Sequence, residues 1–201
     1  MSYGFSDLSS SPVSFFLFIN HGHSVALLTH LHLLQNRLDL ATREVTAARK
    51  WAQDSLLVNI AESWVGLRKG GEAYQSAYYV FEEMATAQPV AGRSLVMQGV
   101  SEILLGRIEE ARAALEEAVR RAENAEEGEG AKGEGAALGD ALANLVLLFT
   151  GAGKSKEAGE FKERLRGVQP GHGLLVEEEE MGRLFDEGAG KWKARVARTV
   201  A

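Results

Sequence analysis

The chain has 201 residues, with 28 acidic against 22 basic side chains and a net charge of −6, a balance that argues against a broad nucleic-acid or anionic-membrane footprint. It contains no cysteine, which excludes disulfides, thiolate metal sites and thiol catalysis and fits a reducing compartment. Hydrophobic residues make up 45% of the chain, and only three prolines interrupt a composition rich in Ala, Leu, Glu and Arg, so the expected class is all-α.

The N-terminal stretch SPVSFFLFINHGHSVALLTHLHLL superficially resembles an export signal. No Lys or Arg precedes Arg37, and the apolar run Val13 to Ile19 is far short of the roughly 20 residues a membrane span requires. The chain therefore reads as soluble. Ser9 to Ser11 and the aromatic cluster Phe15, Phe16 and Phe18 do not fit the pattern that follows; residues 1–23 read as a leader, disordered or non-native, ahead of a helical region over 24–193 and a tail over 194–201.

From Thr29 onward the chain repeats itself. The stretch THLHLLQNRLDLATREVTAARKWA places Leu38, Ala41, Val45 and Ala48 at helical spacing, and Ala77 stands 36 residues after Ala41 in a unit with Phe81 and Pro89. That second unit is preceded by the helix SLLVNIAESWVGLR and a turn with Gly70 and Gly71. Ala111 follows Ala77 by 34 residues, in a unit where Gly106 separates two amphipathic patterns, Gly99, Ala111 and Ala118 are small, and Leu115 is large. A fourth unit carries Gly153, Ala158, Leu165 and Pro170. Its Ala158 lies 47 residues after Ala111, one period plus the Gly/Glu-rich insert ENAEEGEGAKGEG, which predicts a solvated loop over 123–135. A period of about 34 residues with this order of small and large residues is the grammar of tetratricopeptide helix pairs. The predicted fold is an all-α solenoid of four such pairs. The helix after Pro170, with apolar Leu174, Leu175, Met181, Leu184, Phe185 and Trp192, would cap its end.

Candidate chemical motifs do not survive their context. GEGAKG, Gly128 to Gly133, matches a dinucleotide-binding spacing, but no strand precedes it and five nearby glutamates would repel a phosphate. GKS at Gly153 to Ser155 lacks the first glycine of a phosphate loop, whose place falls on Leu148. His21, His23, His30 and His32 form H-x-H pairs whose members face different sides of a helix, which suits a shared metal poorly. Glu177 to Glu180 reads as a solvated face. Trp51, Trp64, Trp192, Tyr78 and Tyr79 read mainly as core and interhelical residues rather than a ligand box. No catalytic, cofactor-binding or metal-binding residue is assigned, and no cofactor is expected.

The stretches LLQNRLDLATREV, WAQDSLLVNIAESWVGLRKGGEAYQSAYYVFEEM, LLGRIEEARAALEEA, DALANLVLLFTGAGK and LFDEGAGKWKA, in that order, carry a further signal. From Thr29 to about Lys193 the chain resembles the epsilon subunit of coatomer, the coat of Golgi-to-endoplasmic-reticulum vesicles. The resemblance implies tetratricopeptide-like pairs in a right-handed superhelix and a non-enzymatic coat subunit. Its curved surface would bind and stabilise the C-terminal region of the alpha subunit, and other coatomer subunits through it, in retrograde and intra-Golgi transport. It would be cytoplasmic, peripheral on Golgi membranes and COPI-coated vesicles through the coat alone, with no nucleic-acid partner. Family members carry more helix pairs before THLHLLQNRLDL, so the chain reads as N-terminally truncated. If the first helix of each pair lines the concave side, a partner segment meets Asn59, Glu62, Val100, Ile103, Asn144 and Leu147. The alternative is a generic tetratricopeptide adaptor unrelated to vesicle coats, such as a chaperone-tail binder, whose carboxylate clamp needs Lys and Asn where this chain has Glu62 and Gly66.

Overall fold

The computed structural model describes residues 22–87, 92–124 and 131–200, with the side chains of 131–134 and 194–200 outside the description. Among the described residues there are nine helices and no strand: α1 (Gly22–Leu34), α2 (Leu38–Arg49), α3 (Leu56–Lys69), α4 (Ala73–Ala87), α5 (Gly92–Leu104), α6 (Ile108–Asn124), α7 (Ala131–Gly151), α8 (Ser155–Val168) and α9 (Gly173–Val200). Consecutive helices pack as tetratricopeptide-like pairs. The chain divides into two compact units, one ending at Ala111 and the other beginning at Arg112.

In the first unit α1 packs on α2 and α3, α2 on α3, α3 on α4, and α4 on α5. Small residues set the approach of the helices. Ala26, Ala41, Val45, Ala61 and Val65 form one buried cluster, against which Leu33, Leu38 and Trp64 pack, and Val25, Ala48 and Val58 form another. Gly66 is a point of close approach between α3 and α4: a Cβ there would lie 3.1 Å from the Ala73 carbonyl oxygen. Ala77 and Phe81 of α4 are fully enclosed. In the second unit α7 packs along α8. Leu142 and Leu145 of α7 and Leu165 of α8 are fully enclosed, and Phe149 stacks on Phe161 at 5.4 Å between ring centres. Leu115 and Ala118 of α6 are also enclosed.

Helix ends recur with the repeat. The amide of Arg37 donates to the His32 carbonyl at 2.8 Å and that of Asn36 to Leu33 at 3.0 Å. Arg107 and Gly106 make the same two bonds to Glu102 and Ile103, and Lys154 and Gly153 make them to Phe149 and Thr150. Each is a Schellman closure, which needs a left-handed residue at its corner; Asn36, Gly106 and Gly153 have φ of 57°, 76° and 72°. The buried alanine that starts the second helix, Ala41, Ala111 or Ala158, follows five residues later in each case.

Five expectations change. Gly22 and His23, read as leader, begin α1, whereas 1–21 lie outside the described residues, as do His21 and Pro89. Both ends of the stretch read as a loop over 123–135 are helical: α6 runs to Asn124 and α7 starts at Ala131, and 125–130 lie outside the described residues. Helix propagation from the buried turns at Ala137, Ala141 and Leu142 extends back through Gly135 and Gly133 at about 1 kcal/mol per glycine. Trp51, Trp192 and Tyr79 are exposed rather than core, whereas Trp64 and Tyr78 are half-buried. Finally, α9 does not bury the apolar face expected of a cap. Leu175 is its one buried described residue, while Met181, Leu184, Phe185 and Trp192 are all exposed. Length accounts for Trp192: α8 has 14 residues and α9 has 28, so a neighbour of α8's length ends well short of it. The helix also continues to Val200, through the residues read as a tail.

Candidate partner-binding surface

Residues of α3 at positions 59, 62, 63, 66 and 69 share one helical face, and the first unit turns that face into a groove of about 640 Å³. Thr42, Thr46 and Arg49 of α2 form one wall, Ser76 and Val80 of α4 the other, and Asn59, Glu62 and Lys69 of α3 the floor. Arg49 ties wall to floor, with Nη2 2.5 Å from a Glu62 carboxylate oxygen and Nη1 donating to the Gln53 carbonyl at 3.0 Å. The hydroxyls of Ser63 and Thr46 are occupied by carbonyls one turn back, Asn59 and Thr42, at 2.8 Å each. Asn59 Oδ1 is buried without a hydrogen-bond partner. The groove thus presents a fixed ion pair among hydroxyls already engaged by backbone carbonyls, a polar surface suited to holding a partner segment.

The structure brings Asn59 and Glu62 together in this groove. They face the channel walled by α2 and α4, the second helices of the first two pairs. Lys69 extends the same face of α3, whereas Arg49, on α2, escapes a sequence reading confined to first-helix faces; the available signal is the opposite charge of Arg49 and Glu62 on consecutive amphipathic helices. Val100 and Ile103 lie half-buried, one turn apart on α5. Between them Glu102 is 4% exposed. Burial raises its carboxyl above the usual range, against the opposing hydrogen bond from Gln98. The Tyr78 hydroxyl of α4 donates to Glu82 at 2.6 Å, which together with partial burial pushes the phenol up to about 12. Arg107 sits over the Tyr78 ring and donates to Gln75 at 2.8 Å. In the second unit Asn144 donates to the Asp140 carbonyl at 2.8 Å, and Leu147 is 53% exposed.

Among the described residues no group of three or more His, Asp or Glu side chains is placed to hold a metal ion, and no helix is long and apolar enough to cross a membrane. His30 packs against Trp64 with ring centres 5.6 Å apart, His32 has both ring nitrogens buried without partners, and His23 is exposed.

Stacked helix pairs bearing a polar groove define a helical-repeat scaffold of the kind that binds other proteins. The chain belongs to the coatomer epsilon subunit family, whose model matches residues 20–189. It is 33% identical over 133 residues to a probable coatomer subunit epsilon of Schizosaccharomyces pombe, covering 65% of this chain and 41% of the relative. It is 27% identical over 150 residues to coatomer subunit epsilon-1 of Arabidopsis thaliana, covering 75% and 46%. To coatomer subunit epsilon-2 of Oryza sativa subsp. indica it is 27% identical over 162 residues, covering 78% and 48%. The chain spans less than half the length of each of these relatives.

Proposed function

We propose that the chain works as a non-enzymatic scaffold subunit of the coatomer vesicle coat, binding and stabilising the C-terminal region of the alpha subunit. Membership of the epsilon family over residues 20–189 carries this reading. The polar groove of α2, α3 and α4 supplies a surface for a partner segment, with Asn59 on its floor and the Arg49–Glu62 pair orienting polar side chains. Val100 and Ile103 on α5, and Asn144 and Leu147 on α7, supply further contacts. Attachment to the coat through its partner places the chain on the cytoplasmic side of Golgi membranes and COPI vesicles, in retrograde and intra-Golgi transport. Co-purification of the tagged 201-residue chain from cells tests this, with a full-length epsilon subunit as positive control. Recovery of the alpha subunit is the expected result; its absence from the bound fraction, with the control intact, contradicts the proposal.

A further inference from the structure

The exposed face of α9 carries large apolar side chains at helical spacing. Met181, Leu184, Phe185, Gly188 and Trp192 fall within about 100° of the helix circumference, since each residue turns the helix by about 100°. Their large side chains stand open, Phe185 at 75%, over roughly 16 Å of helix. A continuous apolar stripe of this kind marks an interaction surface.

Charge selects the occupant. Between 177 and 187 the helix carries six carboxylates, Glu177 to Glu180, Asp186 and Glu187, against the single cation Arg183, which ion-pairs with Glu180 and Glu187 on its own helix. From 191 onward the sequence has Lys191, Lys193, Arg195 and Arg198 and no carboxylate. A helix that is acidic in one half and basic in the other is complementary to itself when inverted.

We propose that α9 is a self-association surface, pairing antiparallel with α9 of a second copy about a two-fold axis between Asp186 and Glu187. This inference is independent of the coat reading. With that axis, Phe185 of one copy lies opposite Gly188 of the other, so the large ring enters the space left by the missing side chain. Met181 lies opposite Trp192, and the acidic half of each helix runs along the basic half of the other. A parallel pair would instead set acidic half against acidic half. Such a surface is isologous, as a two-fold dimer requires. Its short seam falls below the area of a standard stable interface, so the dimer is weak, with a dissociation constant of order 10 to 100 μM.

Sedimentation velocity of the full chain from about 5 to 500 μM tests the surface. The expected result is a concentration-dependent monomer–dimer equilibrium. Phe185→Glu abolishes it while circular dichroism shows unchanged helicity. Because the chain has no cysteine, Gly188→Cys gives a single thiol near the axis that a short bis-maleimide cross-links, whereas Met181→Cys, roughly 16 Å from its symmetry mate along the axis, does not. A monomer at every concentration, a dimer that survives Phe185→Glu, or cross-linking at position 181 in preference to 188 overturns the proposal. Recruitment of the monomeric chain to phosphatidylcholine–phosphatidylserine vesicles, lost in Phe185→Glu, also overturns it and makes the stripe a lipid-facing one.

Discussion

Asn36 and Gly106 occupy the same left-handed corner in two Schellman turns, each followed by a basic residue and then by a buried alanine five positions on. Side chains with a Cβ cost roughly 1–2 kcal/mol in this conformation, and Asn tolerates it better than most. Gly106→Ala should therefore destabilise the chain by about 1 kcal/mol. Asn36→Ala should cost a similar amount, since it also removes the acceptor of the 2.9 Å bond from Arg68, whereas Asn36→Gly should stay within about 0.5 kcal/mol of the parent. Urea denaturation of the three variants checks the ordering.

The close approach at Gly66 gives a second expectation. The Ala73 carbonyl oxygen lies 3.1 Å from the place a Cβ at residue 66 would take. Gly66→Val must therefore separate α3 from α4 and should lower stability by about 1–3 kcal/mol. Thermal unfolding should show a lower midpoint; an unchanged midpoint would mean that the two helices separate without loss.

Buried Glu102 makes stability depend on pH. Its folded pKa lies above the ordinary value, chiefly through burial. The stability this group contributes is thus complete below the unfolded value near 4.3 and falls as pH rises through the folded one. Oε2 has no partner, so the ionised form is poorly compensated. Glu102→Gln should leave stability nearly unchanged at pH 4 and raise it by about 1 kcal/mol at pH 7. Denaturation at the two pH values measures the difference.

The repeat is legible in the sequence because backbone constraints write directly into it. Gly106 and Gly153 mark left-handed corners, and Ala41, Ala77, Ala111 and Ala158 mark helix crossings where nothing larger fits; all four are buried. The Schellman turn at Asn36 is harder to read because Asn is a less exclusive residue for that conformation. Composition misplaces the helix boundaries in the Gly/Glu-rich insert because it reports local preference, while α7 is held by the packing of Ala137 and Leu142 further along. Trp192 reads as core from its spacing because periodicity shows that residues share a face without showing that anything covers it. Of the groove, Asn59 and Glu62 are legible from their helix alone. Arg49 enters only when α2 and α3 are seen together.

A charge exchange across the groove of the first unit tests whether it holds a segment of the partner. Arg49→Glu with Glu62→Arg preserves the ion pair between α2 and α3 while inverting the charges shown to the groove, so the melting temperature should stay within a few degrees of the parent. Calorimetric titration of the 201-residue chain with the C-terminal region of a coatomer alpha subunit should then show saturable binding by the parent and at least tenfold weaker binding by the exchanged variant. Equal affinity of the two proteins, or no binding by the parent at concentrations where a full-length epsilon subunit binds, would show that the groove does not hold the partner.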